Sequence, residues 1–268
     1  METNEVLITR AIIDRYFEKL RSSLEVDVAI VGAGPSGLVA AYYLAKEGRR
    51  VTLYERKLSV GGGTWGGGIL YNEIVVQEEA KGILDEFGIR SRLYEAGHYT
   101  VDAVEFAATL TSKAVQAGTT VFNCVTVEDV VMRPERICGV VINSSPVEMA
   151  GLHVDPIAVR SRAVIDATGH DCEVVHVVER KVPGRLQTPT GRIEGEQSMW
   201  PEEAEKRTLE NTREVYPGLF ITGMAANAVF GAPRMGPIFG GMLLSGQKVA
   251  RLVAEQLAPA APSPVMSD

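Results

Sequence analysis

The sequence has little cysteine, no basic surplus and no long apolar run, and each shortage removes a class of protein. Three cysteines, Cys124, Cys138 and Cys172, stand among 268 residues without a CxxC pair. They cannot build a disulfide framework, and they suit a reducing, cytoplasmic address. No stretch of about 18 consecutive apolar residues occurs, so no membrane span is expected. The opening METNEVLITRAIIDRYFEKL carries acids and no apolar core closing on small residues, so no secretory leader is expected either. Lysine and arginine number 27 against 34 acids, a formal charge of -7. Binding along a phosphate backbone is disfavoured, and no nucleic-acid partner is expected. There is no internal repeat and no linker-like break in composition. What is present suffices for a folded core: 46% hydrophobic residues with 27 glycines exclude a disordered chain.

The pattern predicts a single unit over 1–257 and a loose tail, APAAPSPVMSD, over 258–268. Residues 5–22 form an amphipathic helix, with Val6, Ile13, Phe17 and Leu20 on one face and Arg15, Glu18 and Ser22 opposite. Val28-Ala29-Ile30-Val31 is a short buried strand, 36–47 a helix and Val51-Thr-Leu-Tyr54 a second strand. Strand, glycine turn, helix and strand in this order make a βαβ unit and a parallel sheet. Further helices are expected over 76–87, 102–117 and 239–257. A hairpin is expected from 119–131 and 136–143 around Arg133-Pro134-Glu135. Buried strands should end at Val164-Ile165 and at Leu219-Phe-Ile-Thr222. The charged stretch 183–215 reads as a mobile excursion over the site.

Gly32-Ala33-Gly34-Pro35-Ser36-Gly37 is a GxGxxG run placed after a strand and before a helix. There the first glycine permits the tight turn, the second lets pyrophosphate approach the backbone, and the third lets helix pack on strand. The helix N-terminus turns free N–H groups toward the phosphates, and Ser36 can bond one of them. Glu55 ends the second strand, where a carboxylate holds ribose hydroxyls. These residues predict adenine-dinucleotide binding on an α/β, Rossmann-like fold with a parallel central sheet and an additional β-hairpin or sheet layer. Whether the nucleotide is FAD or NAD stays open on spacing alone. Arg56 with Gly62-Gly63, Asp166-Ala-Thr-Gly169 and Pro217-Gly-Leu-Phe-Ile-Thr-Gly223 resemble the glutathione-reductase-like FAD/NAD superfamily. Taken alone they read as an FAD-dependent oxidoreductase. Against that stand the absence of a second GxGxxG and of a CxxC, and a chain short for a flavoprotein with a substrate domain.

Three further segments are more specific. They are Val140 to Pro156 with its Gly151-Leu-His-Val-Asp-Pro core, Asp166-Ala-Thr-Gly-His-Asp171, and Gly231-Ala-Pro-Arg-Met-Gly-Pro running on to Gly246. In this order they resemble the thiazole synthase family of thiamin biosynthesis, from the first helix to about residue 257. The resemblance implies an NAD-consuming synthase of the transferase type. NAD is a substrate and not a redox carrier: nicotinamide leaves, the ADP-ribose carbon chain condenses with glycine, and sulfur is added to give an adenylated thiazole carboxylate. Iron(II) assists the later steps. Some members take sulfur from their own cysteine and turn over once; others carry histidine there and use free sulfide over many turnovers. His153 occupies that position here, so the resemblance implies the sulfide-dependent type. Cys172 lies outside the segment and has no assigned role.

The same resemblance implies the site. Asp155 and His170 match the iron ligands, a donor pair that suits Fe(II) and leaves positions open for substrate. Arg234 is placed for bidentate capture of glycine's carboxylate. Val127 follows the strand whose backbone reads adenine, and Gly63, Val154 and Met224 are matched contacts. His153, Asp155 and His170 form the expected catalytic set. A ring-like homo-octamer is implied, with Leu152–Asp155 able to complete a neighbour's site. A ribose-1,5-bisphosphate isomerase is the other enzyme alternative, and no residue argues for a bisphosphate pocket. A nucleotide-sensing module without catalysis would have no use for the metal-ligand pair.

Overall fold

Val28-Ala29-Ile30-Val31 is apolar on both faces because both faces are covered. Val28 and Ile30 enter one core, Ala29 and Val31 the other, which is the period-two consequence of a strand inside a parallel sheet. The computed structural model describes residues 4–258. The tail expected to be loose lies outside them apart from Ala258.

The chain opens with α1 (Glu5–Ser22), β1 (Glu25–Val31), α2 (Pro35–Lys46) and β2 (Val51–Glu55). Next come β3 (Glu73–Gln77), α3 (Glu78–Phe87), β4 (Arg92–Glu95), β5 (His98–Asp102) and α4 (Ala103–Gln116). The middle holds β6 (Thr120–Asn123), β7 (Val125–Arg133), β8 (Arg136–Ser144), α5 (Ser145–Met149) and β9 (Ile157–Asp166). The last part holds α6 (Glu173–Lys181), α7 (Pro201–Asn211), β10 (Arg213–Tyr216), β11 (Leu219–Ile221), α8 (Met224–Val229) and α9 (Gly240–Leu257).

Strands run β10-β11-β9-β1-β2-β6, and β11, β9, β1, β2 and β6 are mutually parallel. The β7–β8 hairpin joins the same sheet through β8, which pairs antiparallel with the first half of β9 while β11 pairs with its last residues. One core lies between the sheet and α2, α3, α4 and α9; the other lies between the sheet, the hairpin, α6 and α8. Among the described residues no helix is long and apolar enough to cross a membrane.

Three expectations need correction. The segment 119–131 is two strands and not one: Cys124, with φ +56°, breaks it, so β6 stays in the parallel sheet while β7 swings into the hairpin. A second, antiparallel sheet of order β3-β5-β4 stands on either side of the expected 76–87 helix, which begins only at Glu78 because β3 takes the residues up to Gln77. The excursion over 183–215 contains α7, whose polar surface carries the Lys206–Glu202 and Arg207–Glu203 pairs at i,i+4 spacing. The amphipathic face of α1 exists as expected, yet the helix buries no residue; of the four apolar residues named, Val6, Ile13 and Phe17 face outward and Leu20 packs on the core.

Candidate active site

In open parallel sheets a ligand sits beyond the carboxyl ends of the strands, and a cavity of about 690 Å³ occupies that position here. The turn after β1 contributes Gly32, Gly34 and Ser36, and the end of β2 contributes Glu55 and Arg56. Gly63, Val127 and Met224 line it from the loop after β2, from β7 and from α8. His170 and Arg234 complete the set of expected residues on its wall. Gly37 is not on the wall.

The glycine turn is built by close packing. A Cβ at Gly32, whose φ is +97°, would run into the Ala167 carbonyl, and one at Gly37 would meet the Gly32 carbonyl. At Gly34 a Cβ would meet no atom within 4 Å, which leaves the backbone open to the cavity. Gly34 caps α2 and Pro35 takes its first turn, where a missing N–H costs nothing. The remaining amides of that turn have the geometry that suits an anion.

Glu55 is buried. Its Oε2 accepts from the Ala33 amide at 3.0 Å and its Oε1 from the Lys57 amide at 2.9 Å, so its orientation is fixed by backbone. Arg56 is held by Asp171 at 3.2 Å and by Glu173. Burial pushes the Glu173 carboxyl up, against the pull of the Arg56 charge.

His170 lies on a short turn, Gly169–Asp171, between β9 and α6. Beneath it Asp166 is fully buried. Its Oδ1 accepts from the Thr168 amide at 2.9 Å and hydroxyl at 2.7 Å, and its Oδ2 accepts from the Val175 amide at 3.0 Å. Burial raises the Asp166 pKa while these donors lower it. The carboxyl group thus fastens the His170 turn to the start of α6.

Sequence reasoning missed Glu196. Its Oε1 lies 2.6 Å from His170 Nδ1 and its Oε2 lies 3.6 Å from Arg234 Nε. No motif surrounds it, and it sits in the stretch read as mobile. That stretch is clipped alongside 228–234: the Gly195 amide donates to Ala228 at 3.1 Å, the Gln197 amide to Ala232 at 3.0 Å, and the Arg234 amide returns to Gln197 at 3.2 Å.

Two further placements bear on the chemistry. His153, Val154 and Asp155 sit on an exposed loop before β9 and do not line the cavity. Among the described residues no group of three His, Cys, Asp or Glu forms a metal site. His170 fits a metal-ligand role, since Nδ1 is taken by Glu196 and Nε2 is the nitrogen left over. One chain does not bring Asp155 to it. No cysteine lines the cavity. Cys172 is buried, and burial with the nearby Asp166 and Asp171 charges pushes its thiol up to about 12, far from the thiolate a sulfur donor requires.

A family model described as the Thi4 family matches residues 9–239. A thiamine thiazole synthase of Desulfosudis oleivorans is 66% identical over 257 residues, covering 96% of this chain and 100% of that protein. One of Methanothermobacter thermautotrophicus is 60% identical with the same coverage. The crystal structure of Thermovibrio ammonificans THI4 superposes with a TM-score of 0.94 at 53% identity, covering 96% of this chain and 99% of that one. A geranylgeranyl bacteriochlorophyll reductase-like protein of Thermoplasma acidophilum, at 15% identity and TM-score 0.51, shares the fold alone.

Proposed function

The chain belongs to the Thi4 family, and from that premise we propose that its cavity builds the thiazole precursor of thiamin from NAD, glycine and sulfide. Thiamin thiazole synthesis is the activity of the family; the roles below are our reading of this chain.

The observation that carries the reading is a single cavity with two chemically different ends and no thiol on its wall. At one end the glycine turn, the first turn of α2 and Glu55 suit an adenosine diphosphate: amides for phosphate, a carboxylate for ribose hydroxyls. At the other end His170 and Arg234 stand within reach of one carboxylate. NAD bound across the cavity keeps its adenylate fixed while nicotinamide leaves the other ribose. Arg234 takes the carboxylate of glycine and so aims its amino group at the carbon chain freed by that departure. His170 of one subunit and Asp155 are the residues that would hold Fe(II). Bound there, the ion would supply Lewis-acid polarisation to the oxygen and sulfur ligands of the later steps.

Because Asp155 lies on an exposed loop away from its own cavity, we assign it to the site of a neighbouring copy in a homo-octamer. The outward apolar face of α1, with Ile12 and Val6 each 65% exposed, supports assembly of that kind. His153 travels on the same loop. It cannot donate sulfur, and its imidazole is suited to orient or protonate sulfide or an intermediate. The free cysteines agree with a reducing, cytoplasmic setting. The test is direct: anaerobic incubation with NAD, glycine, sulfide and Fe(II), followed by mass spectrometry. Adenylated thiazole carboxylate is expected; release of nicotinamide without any thiazole product contradicts the reading.

A further inference from the structure

We infer that Glu196 is a positioning residue that ties the metal-ligand histidine to the glycine clamp, so that one carboxylate sets the geometry of both. The inference rests on the reading of His170 and Arg234 given above and adds a group that does not line the cavity.

Three observations carry it. The two Glu196 oxygens are divided between the two side chains: Oε1 faces His170 Nδ1 at 2.6 Å, Oε2 faces Arg234 Nε at 3.6 Å. Its side chain is 19% exposed while His170 and Arg234 are 47% and 53% exposed. Glu196 therefore stands behind two groups that reach into solvent-filled space. Its backbone is pinned on both sides, by Gly195 to Ala228 and by Gln197 to Ala232, with Gln197 bridged to Pro233 next to Arg234. The 194–200 strip and the Arg234 loop are thus held together by backbone.

The chemistry follows from each contact. A carboxylate on Nδ1 fixes the histidine tautomer with its proton there and leaves the Nε2 lone pair for a metal; such partners are worth about 10–100-fold in metal affinity. On the arginine, the Glu196 charge 3.6 Å from Nε draws the guanidinium by that edge and leaves both terminal nitrogens for a bidentate carboxylate. That contact is partly exposed and is worth less, about fivefold in binding.

The two contacts can be separated by substitution. In Glu196→Gln an amide oxygen can still accept from His170 Nδ1–H, but the charge facing Arg234 is gone. In Glu196→Ala both contacts are lost. Anaerobic equilibrium dialysis against Fe(II) alone reads the first contact, and the KM for glycine against kcat reads the second. Glu196→Ala is expected to weaken Fe(II) binding about 10–100-fold and to raise the glycine KM about fivefold. Glu196→Gln is expected to keep Fe(II) binding within about threefold and still raise the glycine KM about fivefold. NAD binding, followed by fluorescence, stays at the wild-type value in both and reports that the fold is intact.

Wild-type Fe(II) affinity in Glu196→Ala overturns the histidine half, and should that variant fail to fold, a loss of Fe(II) affinity beyond threefold in Glu196→Gln does so. A wild-type glycine KM in Glu196→Gln overturns the arginine half. The parallel variants His170→Ala and Arg234→Ala separate the two levels. If they leave Fe(II) affinity and glycine KM unchanged, the site reading itself fails. If they impair both while the Glu196 variants do not, only this inference fails.

Discussion

The Glu55 carboxylate accepts a hydrogen bond from the Ala33 amide at 3.0 Å, so the end of β2 is tied to the glycine turn that follows β1. The proposed ribose and phosphate positions are thereby tied to one another. A 2′-phosphate would be set against a buried carboxylate. Arg56, the nearest cation in sequence, is already engaged by Asp171 and Glu173 and is not free to offset it. NADP is therefore expected to be consumed with kcat/KM lower than NAD by on the order of 10³-fold. Initial rates with the two nucleotides check this; equal rates remove Glu55 from the ribose site.

A second carboxylate predicts a pH effect on stability. Glu205 on α7 is buried under the start of α9. Its Oε2 accepts from the Gly241 amide and from Gln77, while its Oε1 and the Gln77 Oε1 have no donor. Burial raises the Glu205 pKa above its ordinary 4.5, more than these hydrogen bonds lower it. The protonated form is thus favoured in the fold. Its contribution is fully present below pH 4.5 and is lost as pH rises through the raised value. Glu205→Gln keeps an oxygen for the Oε2 contacts and removes the ionisable group from the buried site. It is expected to be more stable than wild type at neutral pH by about 1 kcal/mol and to flatten the decline in Tm between acid and neutral pH. Parallel Tm profiles for the two proteins contradict the assignment.

Cysteine reactivity gives a third outcome. Cys172 is buried with its thiol pushed up to about 12, whereas Cys124 and Cys138 are half-buried. Iodoacetamide at mildly alkaline pH is expected to label Cys124 and Cys138 first and Cys172 only on unfolding. Cys172→Ala should keep thiazole formation with sulfide. Peptide mapping after timed labelling reads the first statement, and early labelling at Cys172 contradicts it.

The fold was most legible where structure is local. The β1–α2–β2 unit follows from glycine spacing and apolar runs, since a turn, a helix start and two strands lie within one stretch of sequence. The β3-β5-β4 sheet was not legible because β4 is exposed throughout and carries no alternation, so only its pairing makes it a strand. The helix α7 left a signal that composition masked: Pro201 in its first turn, then acids with bases four residues later. Glu196 left none. Its partners are His170, 26 residues back, and Arg234, 38 residues further along, and that distance is closed by the strip clipped along 228–234.

The separation of Asp155 from the cavity predicts complementation between subunits. Asp155→Ala and His170→Ala are each expected to abolish thiazole formation while leaving NAD binding intact. Unfolded together and reassembled in equal amounts, they should recover about a quarter of wild-type sites, because each site then draws its two ligands from different copies. Ile12→Glu on the outward face of α1 should reduce the assembly seen by analytical ultracentrifugation. No recovery from an assembled mixture places both ligands in one chain.

With His153 at the position of the sulfur-donating cysteine, the chain is expected to make thiazole repeatedly from external sulfide. The most direct measurement is adenylated thiazole formed per subunit, with and without added sulfide, together with the intact mass of the protein afterwards. Many products per subunit are expected with sulfide, none without it, and an unchanged protein mass. Product formed without any sulfur source, or a protein lighter by the mass of H₂S lost from Cys124, Cys138 or Cys172, would contradict that expectation.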